Sequence, residues 1–360
     1  MGREYPTRRR GRIKDVRPRA AEATAAAVAA AGGLAAAGVA GVKRRAARRR
    51  RAERAFRLRR DEPVAADLRR IARGRLDMAL EVIADPADDE LPEAVHSVRK
   101  TLKRVRATVR VARPALGADT ARAENAAYRD AARRLGDARD RKVVVDALDA
   151  VLGRFAGELR VERYTPLRER LVAEERAAAE GLARDAERGA LGEVAVELER
   201  GRDRVAAWPL DGDVVADLRA GLDRIYRRGR RAYGVAREDP TAETLHELRK
   251  RAKDLWYAAG LLQPAAPKRL RRVRKRAKRL SELLGEDHDL AILRAAVETR
   301  RPLFADLADR DALVGVIRRR RRGLRRDALA LAGKLYGERP RRAAKRLGAG
   351  WRRRLGPVAA

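Results

Sequence analysis

The sequence predicts an all-α protein of two pseudo-symmetric four-helix bundles with basic, low-complexity terminal arms. Three observations carry this reading. From residue 61 to 338 Ala, Leu, Arg and Glu dominate, apolar residues recur three and four apart, and no stretch shows the Val/Ile/Thr/Tyr alternation of strands. Proline and glycine punctuate that pattern at helix length. The pattern also occurs twice.

The breaks divide the chain in order. They fall at Asp85-Pro86, Arg113-Pro114, Gly153, Tyr164-Thr165-Pro166 and Gly189, and then from Trp208-Pro209 through Asp213. The second half breaks at Asp239-Pro240, Gln263-Pro264, Arg301-Pro302 and Gly337. Two groups of about four helices follow. The expected units are an Ala/Arg-rich arm at 1–60, a first bundle at 61–206, a linker at 207–212, a second bundle at 213–338 and a basic tail at 339–360.

The duplication is legible residue by residue. At an offset of 150, Ala66-Asp67-Leu68-Arg69 meets Ala216-Asp217-Leu218-Arg219, and His96-x-x-Arg99-Lys100-x-x-Lys103 meets His246-x-x-Arg249-Lys250-x-x-Lys253. At an offset of 149, Leu135-Gly136-Asp137-Ala138-Arg139-Asp140 meets Leu284-Gly285-Glu286-Asp287-His288-Asp289. Matches in this order with one residue of slip indicate an internal repeat.

Charge points to the partner. The 360 residues carry 88 Lys+Arg against 52 Asp+Glu, a formal net charge of +36. Residues 1–60 hold 19 basic and 4 acidic side chains, and residues 318–360 hold 16 and 2, which leaves +7 for the middle. Such a field steers polyanions, whether nucleic acid, acidic lipid or a phosphate polymer. The chain has no cysteine, so thiolate metal sites, disulfides and Cys nucleophiles are excluded. Ala25 to Val42 is uncharged, but it is nearly all Ala and Gly, so a partly helical arm is expected rather than a membrane span or a signal peptide.

The helix expected from Leu91 to Arg113 buries Val95, Val98, Leu102, Val105 and Val109 along one stripe. One position on, His96, Arg99, Lys103, Arg106 and Arg110 form a basic stripe at the core's edge. In the second copy Leu245, Leu248, Ala252, Leu255 and Ala259 form the core stripe, beside His246, Arg249, Lys253 and Trp256. Unrelieved cations at this spacing repel one another by roughly a few tenths of a kcal/mol per pair. A second row on the following helix, Arg122, Asn125 and Arg129, is mirrored by Arg271, Arg274 or Lys275, and Lys278. Two such rows make a trough that a polyanion relieves.

The basic ladder opened by histidine, followed about forty residues on by Leu-Gly-x-x-(Arg/His)-Asp and present twice, resembles the CHAD family, the conserved histidine α-helical domain. The resemblance implies two four-helix bundles about a pseudo-twofold, with a central groove that binds inorganic polyphosphate. By position it implies groove roles for His96, Arg99, Lys100, Lys103, Arg104 and Arg106, and for His246, Arg249, Lys250 and Lys253. Arg122, Arg129, Arg271, Lys275 and Lys278 would join them from the following helices. Asp254 replaces Arg104 and Trp256 replaces Arg106, so the second repeat is expected to contribute fewer charges.

No phosphate-binding loop, nucleophile elbow or paired-carboxylate cleft stands out, and no enzyme activity, cofactor or metal is expected. Asp140 and Asp289 read as capping or pairing groups near a helix turn, and Glu286-Asp287 as helix-start charges. The expected partner is inorganic polyphosphate, in the cytoplasm and at polyphosphate-containing granules. A nucleic-acid scaffold acting through the arms, or a granule or membrane-surface coat, is the alternative reading. Aromatic platforms near the trough are few, namely Trp256, Tyr257 and Tyr128, which favours a base-free polymer.

Overall fold

Proline, glycine and short polar side chains set the helix ends of the computed structural model, which describes residues 55–60, 62–85, 91–136, 139–304 and 306–355. The first half contains α1 (Val64–Ala84), α2 (Leu91–Leu116), α3 (Ala118–Arg134), α4 (Arg139–Arg154), α5 (Thr165–Glu187) and α6 (Ala190–Ala206). The second contains α7 (Val214–Glu238), α8 (Ala242–Leu261), α9 (Pro267–Thr299) and α10 (Leu307–Tyr336), followed by α11 (Pro340–Gly348) and α12 (Trp351–Leu355). Among the described residues there is no strand, and the protein is all-α.

Asp213, Thr241 and Asp306 cap α7, α8 and α10 by accepting from the backbone N–H of Ala216, Thr244 and Ala308. Pro166, Pro267 and Pro340 occupy first-turn positions, where a missing N–H costs nothing. The break expected at Arg113-Pro114 does not occur. Pro114 lies inside the last turn of α2, and the chain turns only at Gly117, whose φ is +78°.

Both predicted core stripes are buried on α2 and α8. Helix α2 packs on α1 and α3, α6 packs on α1 and α3, and α7 to α10 pack successively with α10 returning to α7. The second repeat runs through Leu284-Gly285 as one continuous helix, α9. In the first repeat α3 stops at Leu135-Gly136, where Gly136 takes a left-handed φ of +63°, and α4 starts anew at Arg139. That break lets α4 pack against α9 of the other half, so the first half holds more helices than the four expected.

One close contact joins the halves and another locks the second half internally. Helix α2 crosses α7 at Gly221, where an added Cβ would lie 1.8 Å from the Val111 carbonyl oxygen. No side chain fits there. Helices α9 and α10 are joined at Asp287, which accepts from Arg321 Nε at 2.9 Å and Arg325 Nε at 3.0 Å, and Glu286 pairs with Arg320 at 2.6 Å. These acids therefore sit inside α9 and hold its partner, instead of opening a helix. Asp289 likewise lies within α9 and caps nothing.

The expected tail and linker are folded. Ala343, Leu347, Trp351 and Leu355 recur every four residues, so α11 and α12 bury one face against α7 and turn their arginines outward. The basic composition of 339–360 masked that pattern. Trp208 and Leu210 of the expected linker are buried, and Arg69 donates to the Trp208 carbonyl at 2.6 Å. Leu58, expected in the arm, is buried, and its N–H donates to Leu261 O at 3.3 Å. The arm to residue 54, including Ala25–Val42, lies outside the described residues, as do Asp137 and Ala138. Among the described residues no helix is long and apolar enough to cross a membrane.

Two substitutions test these joints by urea unfolding. Gly221→Ala forces the α2–α7 crossing apart and is expected to lower stability by about 3 kcal/mol or more, since the obstacle is backbone. Asp287→Ala leaves the Arg321 guanidinium buried without its counter-charge and is expected to cost about 3–5 kcal/mol.

Candidate functional site

On α2 the helical period carries His96, Arg99, Lys103, Arg106 and Arg110 along the edge of the buried valine stripe. Helix α8 does the same with His246, Arg249, Lys253 and Trp256, and α2 packs against α8. The repeat-equivalent residues Lys103 and Lys253 are thereby brought within electrostatic reach. Burial first, then the charges of Arg249 and Lys103, push the Lys253 ammonium down to about 8, with Asp289 partly opposing. An amine so placed is short of counter-charge.

The predicted rows of α2 and α3 also meet. Arg106 Nε donates to Asn125 Oδ1 at 3.0 Å. Burial, followed by Arg110, lowers the Arg106 guanidinium to about 10, with Arg129 and Arg133 adding to the effect. Arg133, past the row's expected end, is exposed and pairs with Asp130 on its own helix at 3.5 Å. Arg129 itself makes a two-pronged pair with Asp130 at 2.9 and 3.0 Å.

Arg249 leans on the Leu284-Gly285 element. A Cβ at Gly285 would sit 3.3 Å from Arg249 Nη2, so the glycine gives the guanidinium its room. Arg249 Nε is buried with no hydrogen-bond partner. Next along, the rings of His246 and His288 stand 5.2 Å apart. Loss of hydration, then His288, Lys250 and Arg249, hold His246 below its ordinary pKa, and loss of hydration with Arg249, Lys253 and Arg321 does so for His288. His288 entered the sequence reading only as part of the repeated Leu284-to-Asp289 element and not as a seam residue. Among the described residues no group of three or more His, Cys, Asp or Glu side chains could hold a metal ion.

Not every predicted residue joins the seam. Arg110 is drawn to Asp254, donating from Nε at 3.3 Å, and Asp254 also accepts from Arg251 at 2.8 Å. Arg122 is exposed and pairs with Asp119 on its own helix at 2.8 Å. Lys250 pairs with Glu247 at 2.7 Å, and Lys278 with Glu282 at 3.1 Å. Arg271 and Lys275 lie exposed on α9, whereas Arg274 is half-buried with its Nε 3.6 Å from the Cβ position of Gly260 on α8. His96, Lys100 and Arg104 are half-buried on α2, alongside Arg99.

These positions coincide with a family match. The profile of the CHAD domain matches residues 70–298, which span α2, α3 and α8 whole and all but the last residue of α9, and the chain belongs to the CHAD family. No curated protein matches the chain.

Two outcomes follow from the titrations. Between about pH 8 and the ordinary lysine value of 10.5, the unfolded chain binds more protons at Lys253 than the native protein, so stability rises with pH through that window. At neutral pH the buried charge opposes folding, and Lys253→Met is expected to raise Tm while weakening anion binding. For the histidines, a bound anion opposes the lowering seen in the free protein. The affinity of an anion seated beside them is therefore expected to be greatest at acid pH and to decline as pH rises through the bound-state pKa values. Titration calorimetry between about pH 5 and 8 should show that decline in the wild type and a flatter curve in a His246→Gln, His288→Gln double variant.

Proposed function

We propose that this protein binds inorganic polyphosphate along the basic seam shared by α2 and α8, as a binding module rather than an enzyme. The observation that carries the reading is the depressed, partly buried Lys253 ammonium with Lys103 and Arg249 beside it. A row of phosphates supplies the missing negative charge without needing stacking partners, and arginines grip phosphate oxygens two at a time. The chain's family membership supports the same ligand. In this reading the two halves are pseudo-symmetric bundles, and the Lys103–Lys253 meeting lies near the axis that relates them. The basic arms concentrate the polymer, and the protein works in the cytoplasm at polyphosphate-containing granules.

The test is a salt titration. Log affinity for polyphosphate should fall linearly with log salt, by several units of slope if counterion release resembles that of other phosphate polymers. Arg99→Ala with Lys103→Ala should flatten the slope, and Arg249→Ala with Lys253→Ala should do likewise. If neither double variant changes slope or affinity, the seam is not the site. Competition against DNA at matched phosphate concentration separates the ligands: polyphosphate should win for a chain cut to residues 56–355, which keeps α11 and α12. A cut chain that loses both ligands together points to a polyanion binder driven by its arms.

A further inference from the structure

Beside the seam, α4, α8 and α9 enclose a cleft of about 550 Å³, within the roughly 300–1,000 Å³ usual for small-molecule sites. Its lining does not suit a phosphate polymer. Arg249 and Lys253 stand on the α8 side together with Trp256, while α4 contributes Val143, Ala147, Ala150 and Val151. Leu290 of α9 extends the apolar surface and the carboxylates of Asp146 and Asp289 share the lining, whereas Glu282 and Glu286, also there, are paired with Lys278 and Arg320. A chain of phosphates gains nothing from the apolar wall, and the carboxylates repel it.

A ligand that uses all of this lining has three parts. It needs an anionic end for Arg249, whose Nε is buried without a hydrogen-bond partner, and for Lys253. It needs a flat apolar body for the indole of Trp256, which itself stacks on Tyr257 with ring centroids 4.8 Å apart. It needs N–H or O–H groups for the carboxylates, and a base amino edge and sugar hydroxyls provide them. Resting on the reading of the seam given above, we propose that this cleft seats the nucleoside of a nucleoside polyphosphate. The base lies between Trp256 and the α4 wall, and the phosphates run over Arg249 and Lys253 toward Lys103. Repeat 1 carries Arg106 where Trp256 stands, so the site belongs to the second repeat.

The experiment compares adenosine triphosphate with inorganic tripolyphosphate, binding each to the full chain by titration calorimetry. Charge alone favours tripolyphosphate, the more highly charged of the two. The proposal expects the nucleotide to bind about tenfold more tightly, the scale of one base–aromatic stack. Trp256→Ala should erase that advantage and leave tripolyphosphate affinity unchanged. Ala150→Leu, which fills the cleft from an exposed position on α4, should do the same without touching the core. Equal or weaker nucleotide binding overturns the proposal, and if tripolyphosphate still binds, the seam stands without it. A nucleotide advantage that survives both substitutions also overturns it. If neither ligand binds, the seam reading and this one fall together.

Discussion

Like charges held together at the edge of a core are the constraint on which this structure turns. Helices α2 and α8 bury their apolar stripes, and the period of the helix then places a basic stripe one residue on, where solvent screening is incomplete. Lys103 and Lys253, contributed by equivalent positions of a repeated sequence, end in one neighbourhood. The repulsion is tolerated because the helices beneath cannot move apart: α2 is seated against α7 at Gly221, and α9 is tied to α10 through Asp287. Rigidity elsewhere keeps the site short of negative charge.

The distribution of carboxylates sharpens that contrast. On α8, residues two apart point nearly opposite ways, at about 100° per residue. One flank carries Glu247, Arg251 and Asp254, and these neutralise one another and capture Arg110 from α2. The other flank carries Arg249 and Lys253, which receive only partial relief from Asp289. A single helix thus presents a satisfied face to the body of the protein and an unsatisfied one to the seam. The substitution of Asp254 for Arg104 does more than lower the charge of the second repeat, because it converts a groove position into an internal counter-ion.

Much of the site was legible because a helix converts spacing into direction. The valine stripe of α2 and the basic stripe beside it are fixed relative to each other by 3.6 residues per turn, whatever surrounds them. The second rows were less legible. Asn125 and Arg129 do face Arg106, but Arg122 is caught by Asp119 and Lys278 by Glu282, and such local pairs compete with a distant groove at little cost in ordering. His288, whose ring stands 5.2 Å from that of His246, needed knowledge of which helix faces which. The C-terminal residues show the opposite failure: their arginines suggested a tail, while Ala343, Leu347, Trp351 and Leu355 already spelled a buried face.

By itself the sequence determined the all-α class, the repeat, the core stripes and the basic seam, because each depends on local periodicity and on like residues recurring at a fixed offset. Tertiary structure alone decided that Leu135-Gly136 ends a helix while Leu284-Gly285 runs through one, sending α4 across to α9 and enclosing the cleft beside Trp256. It also decided that Arg110 is drawn away from the seam to Asp254. Both are questions of what lies opposite a side chain across more than a hundred residues of intervening chain, and helical spacing carries no information about that.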